Sequence, residues 1–274
     1  MTDTTANTST RMRSLPGARV LRDGHVLYWW VEVLAILAFY GVYSVIRNLH
    51  GGGANIPPHA LDHARQIISL ERHLWMYHEE TIQSWAMHFR PLILAANYFY
   101  GSFHFIVTIG AGIFLYRRYS DDYPRFRNTL AIATALALVG FTFYPLVPPR
   151  LLDVYGIHTH FIDTLQRDPA FWSFDSGGVQ NVSNQFAAMP SVHICWSTWC
   201  AFALGPRLKH QWARVLAWCY PFFTLFVIVV TANHYILDAA GGLVIFAIAW
   251  FVSGAVTRAG REPTPAAPPD SARA

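Results

Sequence analysis

The chain has 274 residues, 53% of them hydrophobic and only 13% charged, with a formal net charge of +4. A soluble domain carries about a quarter charged residues, so a soluble fold is excluded, and the apolar residues gather in blocks approaching the roughly 20 needed to cross a hydrocarbon core. The basic residues sit in short loops between those blocks, which argues against nucleic acid as a partner.

Residues 1–24 are rich in Thr, Ser and Arg without periodicity and read as a disordered tail. The first apolar block lacks a small-residue cleavage signal and reads as an anchor. Six candidate spans follow: Val26–Ile46, Pro91–Tyr116, Phe126–Tyr144, Ser191–Leu204, Val215–Thr231 and Tyr235–Val256. The expected fold class is an all-α polytopic membrane protein, a six-helix bundle occupying residues 25–258. Residues 259–274, rich in Pro and Ala, read as a second disordered tail. The fourth span is short, so its helix is expected to begin at the mouth of a site rather than to cross the whole bilayer. The three cysteines, Cys195, Cys200 and Cys219, all lie inside apolar blocks and read as small buried hydrophobes.

Orientation follows from the Lys and Arg residues of the loops. With the N-terminus inside, inner loops hold fourteen and outer loops six, which places both termini in the cytoplasm and the chain in the plasma (inner) membrane. Between the first two spans, Ala60, Leu61, Ala64, Ile67, Ile68 and Leu74 recur at helical spacing, with Asp62, His63, Arg65 and Glu71 between them. That pattern predicts an outer amphipathic helix capping the bundle. The other long outer segment, Leu151–Met189, reads as a loop or lid over the helix mouths.

This topology brings Arg150, His193 and His234 to one membrane depth. His234 and Asp238 are four apart and share a helix face, so the carboxylate can orient the imidazole. Ionisable groups are rare at such depths, because a charged Asp at a helix centre costs roughly 2.5–3.5 kcal/mol on insertion scales. His193 follows Pro190 and Ser191, a helix-start signal whose amides suit an anion, and is placed to act as a general acid. Arg150 carries a planar fork suited to phosphate oxygens. Each residue alone has a plainer reading: a helix-tying His–Asp pair, a helix-start histidine, an arginine snorkelling to headgroups. His104, near Tyr98 and Tyr100, reads as a satisfied core histidine. The pairs His59/His63 and His158/His160 have spacings that zinc can use, yet no set of four emerges, so neither a metal nor another cofactor is expected.

Together these residues resemble the type 2 phosphatidic acid phosphatase superfamily, and within it the inositol phosphorylceramide synthase branch. The resemblance rests on Pro148-Pro149, Pro190-Ser191-Val192-His193, His234-Tyr235-Ile236-Leu237-Asp238 and Gly241-Gly242. It implies His234 as a nucleophile forming a phosphohistidine, Asp238 as its orienter, His193 as the acid, and Arg150 with Ser191 on the phosphate. It also implies a membrane lipid as substrate and a hydroxyl acceptor such as inositol or a lipid alcohol. The superfamily's phosphatases carry extra cations where this chain has Phe143-Tyr144 and Val227-Ile228. A site depleted of charge leans towards phosphodiesters and group transfer. Release of phosphate from a lipid or prenyl (pyro)phosphate to water is the alternative, and a membrane transporter is a second alternative of another class.

Overall fold

The computed structural model describes residues 17–49, 56–168 and 185–259. Two residues each of β1 (Arg19–Val20) and β2 (Val26–Leu27) pair antiparallel. The helices are α1 (Trp29–Leu49), α2 (Ala60–His73), α3 (Glu79–Ala86), α4 (Arg90–Arg118), α5 (Tyr123–Phe143), α6 (Thr164–Arg167), α7 (Val192–Leu204), α8 (Gln211–Val230) and α9 (Ile236–Ala259). Two 3₁₀ turns, Pro149–Leu151 and Asp153–Tyr155, follow α5.

Four helices, α4, α5, α8 and α9, are long and apolar enough to cross a membrane, while the apolar stretches Trp29–Val45 and Val192–Leu204 are shorter. The outward faces carry large apolar side chains, among them Phe222, Phe251, Ile106 and Leu37, each at least 60% exposed. A face of that kind is stable against lipid and not against water. The protein is membrane-embedded and mostly helical. Pro91 and Pro124 sit in the first turns of α4 and α5, where a missing N–H costs nothing. Arg117 and Arg118 in the last turn of α4 complement its dipole.

The bundle is organised around α9 and α7. Helix α9 packs on α5 and α7, and α7 packs on α4, α5 and α8. Towards the C-terminal end of α7 the core is aromatic: Phe126, Trp199, Phe246 and their neighbours form one cluster, with the Trp199 indole N–H donating to the Phe126 carbonyl at 2.8 Å. At the other end, α2 lays Ala60, Ala64, Ile67 and Ile68 on a second cluster containing Leu146, Val147, Phe161, Phe186 and Tyr235. The amphipathic helix is therefore a cap over the bundle end, as its stripe predicts.

Glycines set the closest approach. A Cβ on Gly242 would run into the Ser191 carbonyl, one on Gly140 into the Pro190 ring, and one on Gly241 would lie 3.1 Å from the Pro190 Cβ. The start of α7 is thus seated in a notch made by α5 and α9, and the Ser191 amide donates to the Asp238 carbonyl at 2.9 Å across it.

Three expectations need correction. Residues 17–24 are not a free tail: they belong to the β1–β2 hairpin, held by the Tyr116 hydroxyl, which donates to the Gly17 and Leu27 carbonyls at 2.8 and 3.1 Å. The remainder of that tail, residues 1–16, lies outside the described residues, as do residues 260–274 and the 169–184 part of the lid segment. Cys219 faces outward, whereas Cys195 and Cys200 are buried; an apolar block on a membrane helix has a lipid side, and membership of the block does not imply burial. Glu71 is not on the polar side of α2 but fully buried, on the same stripe as Ala60, Ala64 and Ile67.

The glycine notch yields a stability test. Gly242→Ala should lower unfolding stability in detergent by about 1–3 kcal/mol through overpacking against backbone. Gly241→Ala, whose new Cβ would lie no closer than 3.1 Å to Pro190 and 3.6 Å to Met189, should cost less; thermal unfolding of the two variants measures the order.

Candidate active site

The turn that carries His234 is built by the way α8 stops. Thr231 closes the helix, Ala232 adopts φ 51°, and the amides of Ala232 and Asn233 return to the Val229 and Ile228 carbonyls at 2.9 and 3.1 Å. This is a Schellman termination with alanine at the left-handed position, which glycine usually fills. It reverses the chain within three residues and sends Asn233 and His234 back towards the bundle. The Arg150 amide then clamps the turn by donating to the Ala232 carbonyl at 2.9 Å.

Asp238, in the first turn of α9, closes the turn from the other side. Its Oδ2 accepts the Tyr235 amide at 3.0 Å and lies 3.2 Å from the His234 Nδ1. Both side chains are almost wholly buried, at 3% and 0% exposure. With Nδ1–H directed at the carboxylate, Nε2 keeps its lone pair for chemistry. Tyr235 locks the arrangement: its ring is fully buried and its hydroxyl donates to the Val147 carbonyl at 3.0 Å.

His193 enters from α7. Its ring lies 5.5 Å, centroid to centroid, from that of His234 at an interplanar angle of 66°. Tyr100 stacks on His193 at 4.4 Å, and the His104 ring meets His193 edge-on at 4.4 Å. Three helices thus contribute to one cluster: α4 with Tyr100 and His104, α7 with His193, α9 with the preceding turn. His104 lines the cluster with its ring, and its imidazole interacts with the Tyr100 backbone one turn earlier.

Arg150 reaches the same turn, held firmly. Its Nε donates to the Asn233 Oδ1 at 2.9 Å, one terminal nitrogen to the Asp163 Oδ2 at 2.7 Å and the other to the Gln185 Oε1 at 3.2 Å. The guanidinium is 5% exposed and Asp163 18%. The arginine therefore ties the turn that carries His234 to the chain on both sides of residues 169–184. Ser191 precedes α7 in extended backbone; its amide is taken by the Asp238 carbonyl, and its hydroxyl is buried with no hydrogen bond among the described residues.

The structure brings His193, His234, Asp238, Arg150 and Ser191 into one region at one end of the bundle. It gives the zinc-spaced histidines other neighbours: His63 stacks on Tyr144 at 3.9 Å with its Nδ1 2.8 Å from the Pro145 carbonyl, and His158 pairs with Asp153 at 3.3 Å. Sequence reasoning missed Asp163, Gln185 and Asn233 as partners of Arg150, since they lie in aperiodic segments. It also missed α3 and its buried Glu79.

The chain is thus a helical, membrane-embedded protein in which a carboxylate-held histidine faces a second histidine. The PAP2 superfamily model matches residues 65–252, from α2 through most of α9, and the chain belongs to that superfamily. Its members are generally phosphatases or phosphotransferases acting on lipid phosphates. No curated protein and no solved structure matches the chain.

The Arg150 geometry predicts a structural effect that needs no substrate. Arg150→Ala leaves Asp163 without its cation and should lower unfolding stability by about 3 kcal/mol, in the range for breaking a buried ion pair. Thermal unfolding in detergent without added lipid measures it; an unchanged melting temperature would remove the tie.

Proposed function

We propose that the protein transfers a phosphoryl-linked headgroup from a lipid phosphodiester to a hydroxyl acceptor, in the manner of the inositol phosphorylceramide synthase branch. The observation that carries this reading is the His234 ring, fixed through Nδ1 by Asp238 with His193 across from it. In the first half, the Nε2 lone pair of His234 attacks phosphorus, the bond to the lipid alkoxide breaks, and His193 as the imidazolium gives that oxygen its proton. In the second half, neutral His193 takes the proton of the acceptor hydroxyl, whose oxygen attacks phosphorus and releases His234. The cycle returns every proton and forms one P–O bond for the one it breaks. Asp238 stabilises the charge that appears on His234 and does not itself transfer a proton. Ser191 and Arg150 hold the phosphate oxygens, Arg150 from the rim of the turn.

Support for a diester donor comes from charge. Phe143-Tyr144 and Val227-Ile228 stand where related phosphatases carry cations, and Val227 and Ile228 are fully buried here. Arg150 also has its charge opposed by Asp163 at 2.7 Å. A dianionic monoester is held poorly by such a site, and a monoanionic diester less so. Hydrolysis of a lipid or prenyl (pyro)phosphate, with water entering in the second half, is the alternative on the same residues.

The topology belongs to the same proposal. Helices α1 and α7 complete a six-helix bundle, both termini face the cytoplasm, and the site opens to the outside of the plasma membrane, as the Arg distribution favours. His158→Cys in a Cys219→Ser background should then react with a membrane-impermeant maleimide on intact cells; labelling only after permeabilisation would invert the site.

Activity tests follow. His234→Ala should abolish turnover and the acid-labile, base-stable phosphoryl-enzyme, while Asp238→Asn leaves a trace of activity. The rate on phosphatidylinositol with ceramide should exceed that on phosphatidic acid or a prenyl pyrophosphate. Faster release of free phosphate from the monoester, indifferent to acceptor, would make the protein a phosphatase.

A further inference from the structure

Two carboxylic side chains outside this machinery are buried against it. Glu71, in the last turn of α2, and Glu79, the first residue of α3, are both 0% exposed. Each gives one oxygen to the start of α9: the Glu79 Oε1 accepts the Ile236 amide at 3.0 Å, and the Glu71 Oε1 accepts the Leu237 amide at 2.7 Å. Those amides are next in line after Tyr235, whose amide is taken by Asp238. The two Oε2 atoms are buried, and neither meets a donor from any other described residue. The carboxyls instead hydrogen-bond one another, which two ionised groups cannot do.

We infer that Glu71 and Glu79 form a positioning pair, a carboxyl hydrogen-bonded to a carboxylate, that holds the first turn of α9 and with it the His234–Asp238 dyad in reactive register. Neither touches the phosphate; both act through the backbone between the nucleophile and its orienter. The kinetic part of the inference rests on the phosphotransfer reading, the structural part does not. The ionisable groups facing Glu71 are Glu79 from α3, Asp238 from α9 and Tyr235 beside it; Glu79 also faces Tyr77 on the connection between α2 and α3, with the Arg72 guanidinium 4.9 Å over the Tyr77 ring. Burial first, then the hydrogen bond and charge of Glu79, raise the Glu71 carboxyl to about 9, against the Leu237 amide, which pulls it down.

The sign of the consequence is fixed. The unfolded chain releases this proton near 4.5 and the folded chain near 9, so between those values the folded state holds the extra proton and each rise in pH weakens it. Above about 9, two adjacent negative charges repel in the same pocket.

Glu71→Gln and Glu71→Ala, in full-length protein reconstituted in lipid nanodiscs, test the pair. Glutamine can accept the Leu237 amide and donate to Glu79 without ionising. Wild type, turning over phosphatidylinositol with ceramide or phosphatidic acid, should lose kcat as pH rises through about 9. Glu71→Gln should restore kcat at pH 7 and abolish that alkaline loss, and Glu71→Ala should lower kcat by roughly tenfold or more with KM little changed. Independently of activity, the wild-type melting temperature should fall with rising pH more steeply than that of Glu71→Gln. Hydrogen exchange of the Ile236 and Leu237 amides should accelerate in Glu71→Ala. A folded Glu71→Ala protein with wild-type exchange at these amides overturns the inference, as does a Glu71→Gln protein whose pH slope matches wild type. Absence of turnover by the wild type on every lipid phosphate would defeat the phosphotransfer reading instead, with the melting and exchange results still deciding the pair.

Discussion

The start of α9 poses one demand that much of the bundle end is arranged to meet. A helix leaves its first amides without internal partners, and here they lie in a buried or part-buried setting, where an unmet N–H costs up to about 1–3 kcal/mol. Side chains supply the acceptors: Asp238 for Tyr235, Glu79 for Ile236, Glu71 for Leu237. Delivering two of those carboxylates requires α2 and α3 to fold back over the bundle. The cap is thus coupled to the His234–Asp238 dyad by backbone hydrogen bonding rather than by contact with the histidine. The helix dipole adds to the same preference, since its N-terminal end favours negative charge.

Cations enter sparingly around this acidic ring. Arg150 is spent largely on Asp163, Asn233 and Gln185, and Arg90 on Asp168 at 2.8 Å. The result is a region whose charges are paired within the protein, with two imidazoles facing each other between those pairs. Tyr100 and His104 keep that pair of rings packed, so His193 is restrained by stacking where His234 is restrained by hydrogen bonding.

What could be read from the chain divides along the same physical line. His193, His234 and Asp238 stand out because a polar group inside an apolar block has no ordinary reason to be there, and the structure does bring them together. The helices are legible for the same reason, hydrophobic length. Glu71 and Glu79 escape that logic. The buried face of α3 is Glu79, Gln83 and Ala86, so a search for apolar periodicity finds no helix worth burying. Glu71 sits on the stripe Ala60, Ala64, Ile67, and its spacing was the available signal, a carboxylate at a core position. The hairpin of residues 19–27 was hidden because its hold comes from distant residues, Tyr116 and Asp121, and not from any local pattern. Asp163 and Gln185 flank a long connection and are paired with Arg150 only by the way that connection returns.

The seam between α7 and α9 has a consequence for what the protein can discriminate. Because Gly242 admits the Ser191 carbonyl and the Ser191 amide reaches the Asp238 carbonyl, the spacing of the two histidines is set main chain to main chain. Rotamer changes elsewhere cannot adjust it. The outward apolar faces, by contrast, are composed of ordinary side chains against a fluid solvent. A molecule lying half in each environment meets a rigid gauge at its polar end and a compliant one along its hydrocarbon. For the lipid donor proposed above, selection then falls on headgroup geometry, and differences in acyl length or unsaturation pass largely unread.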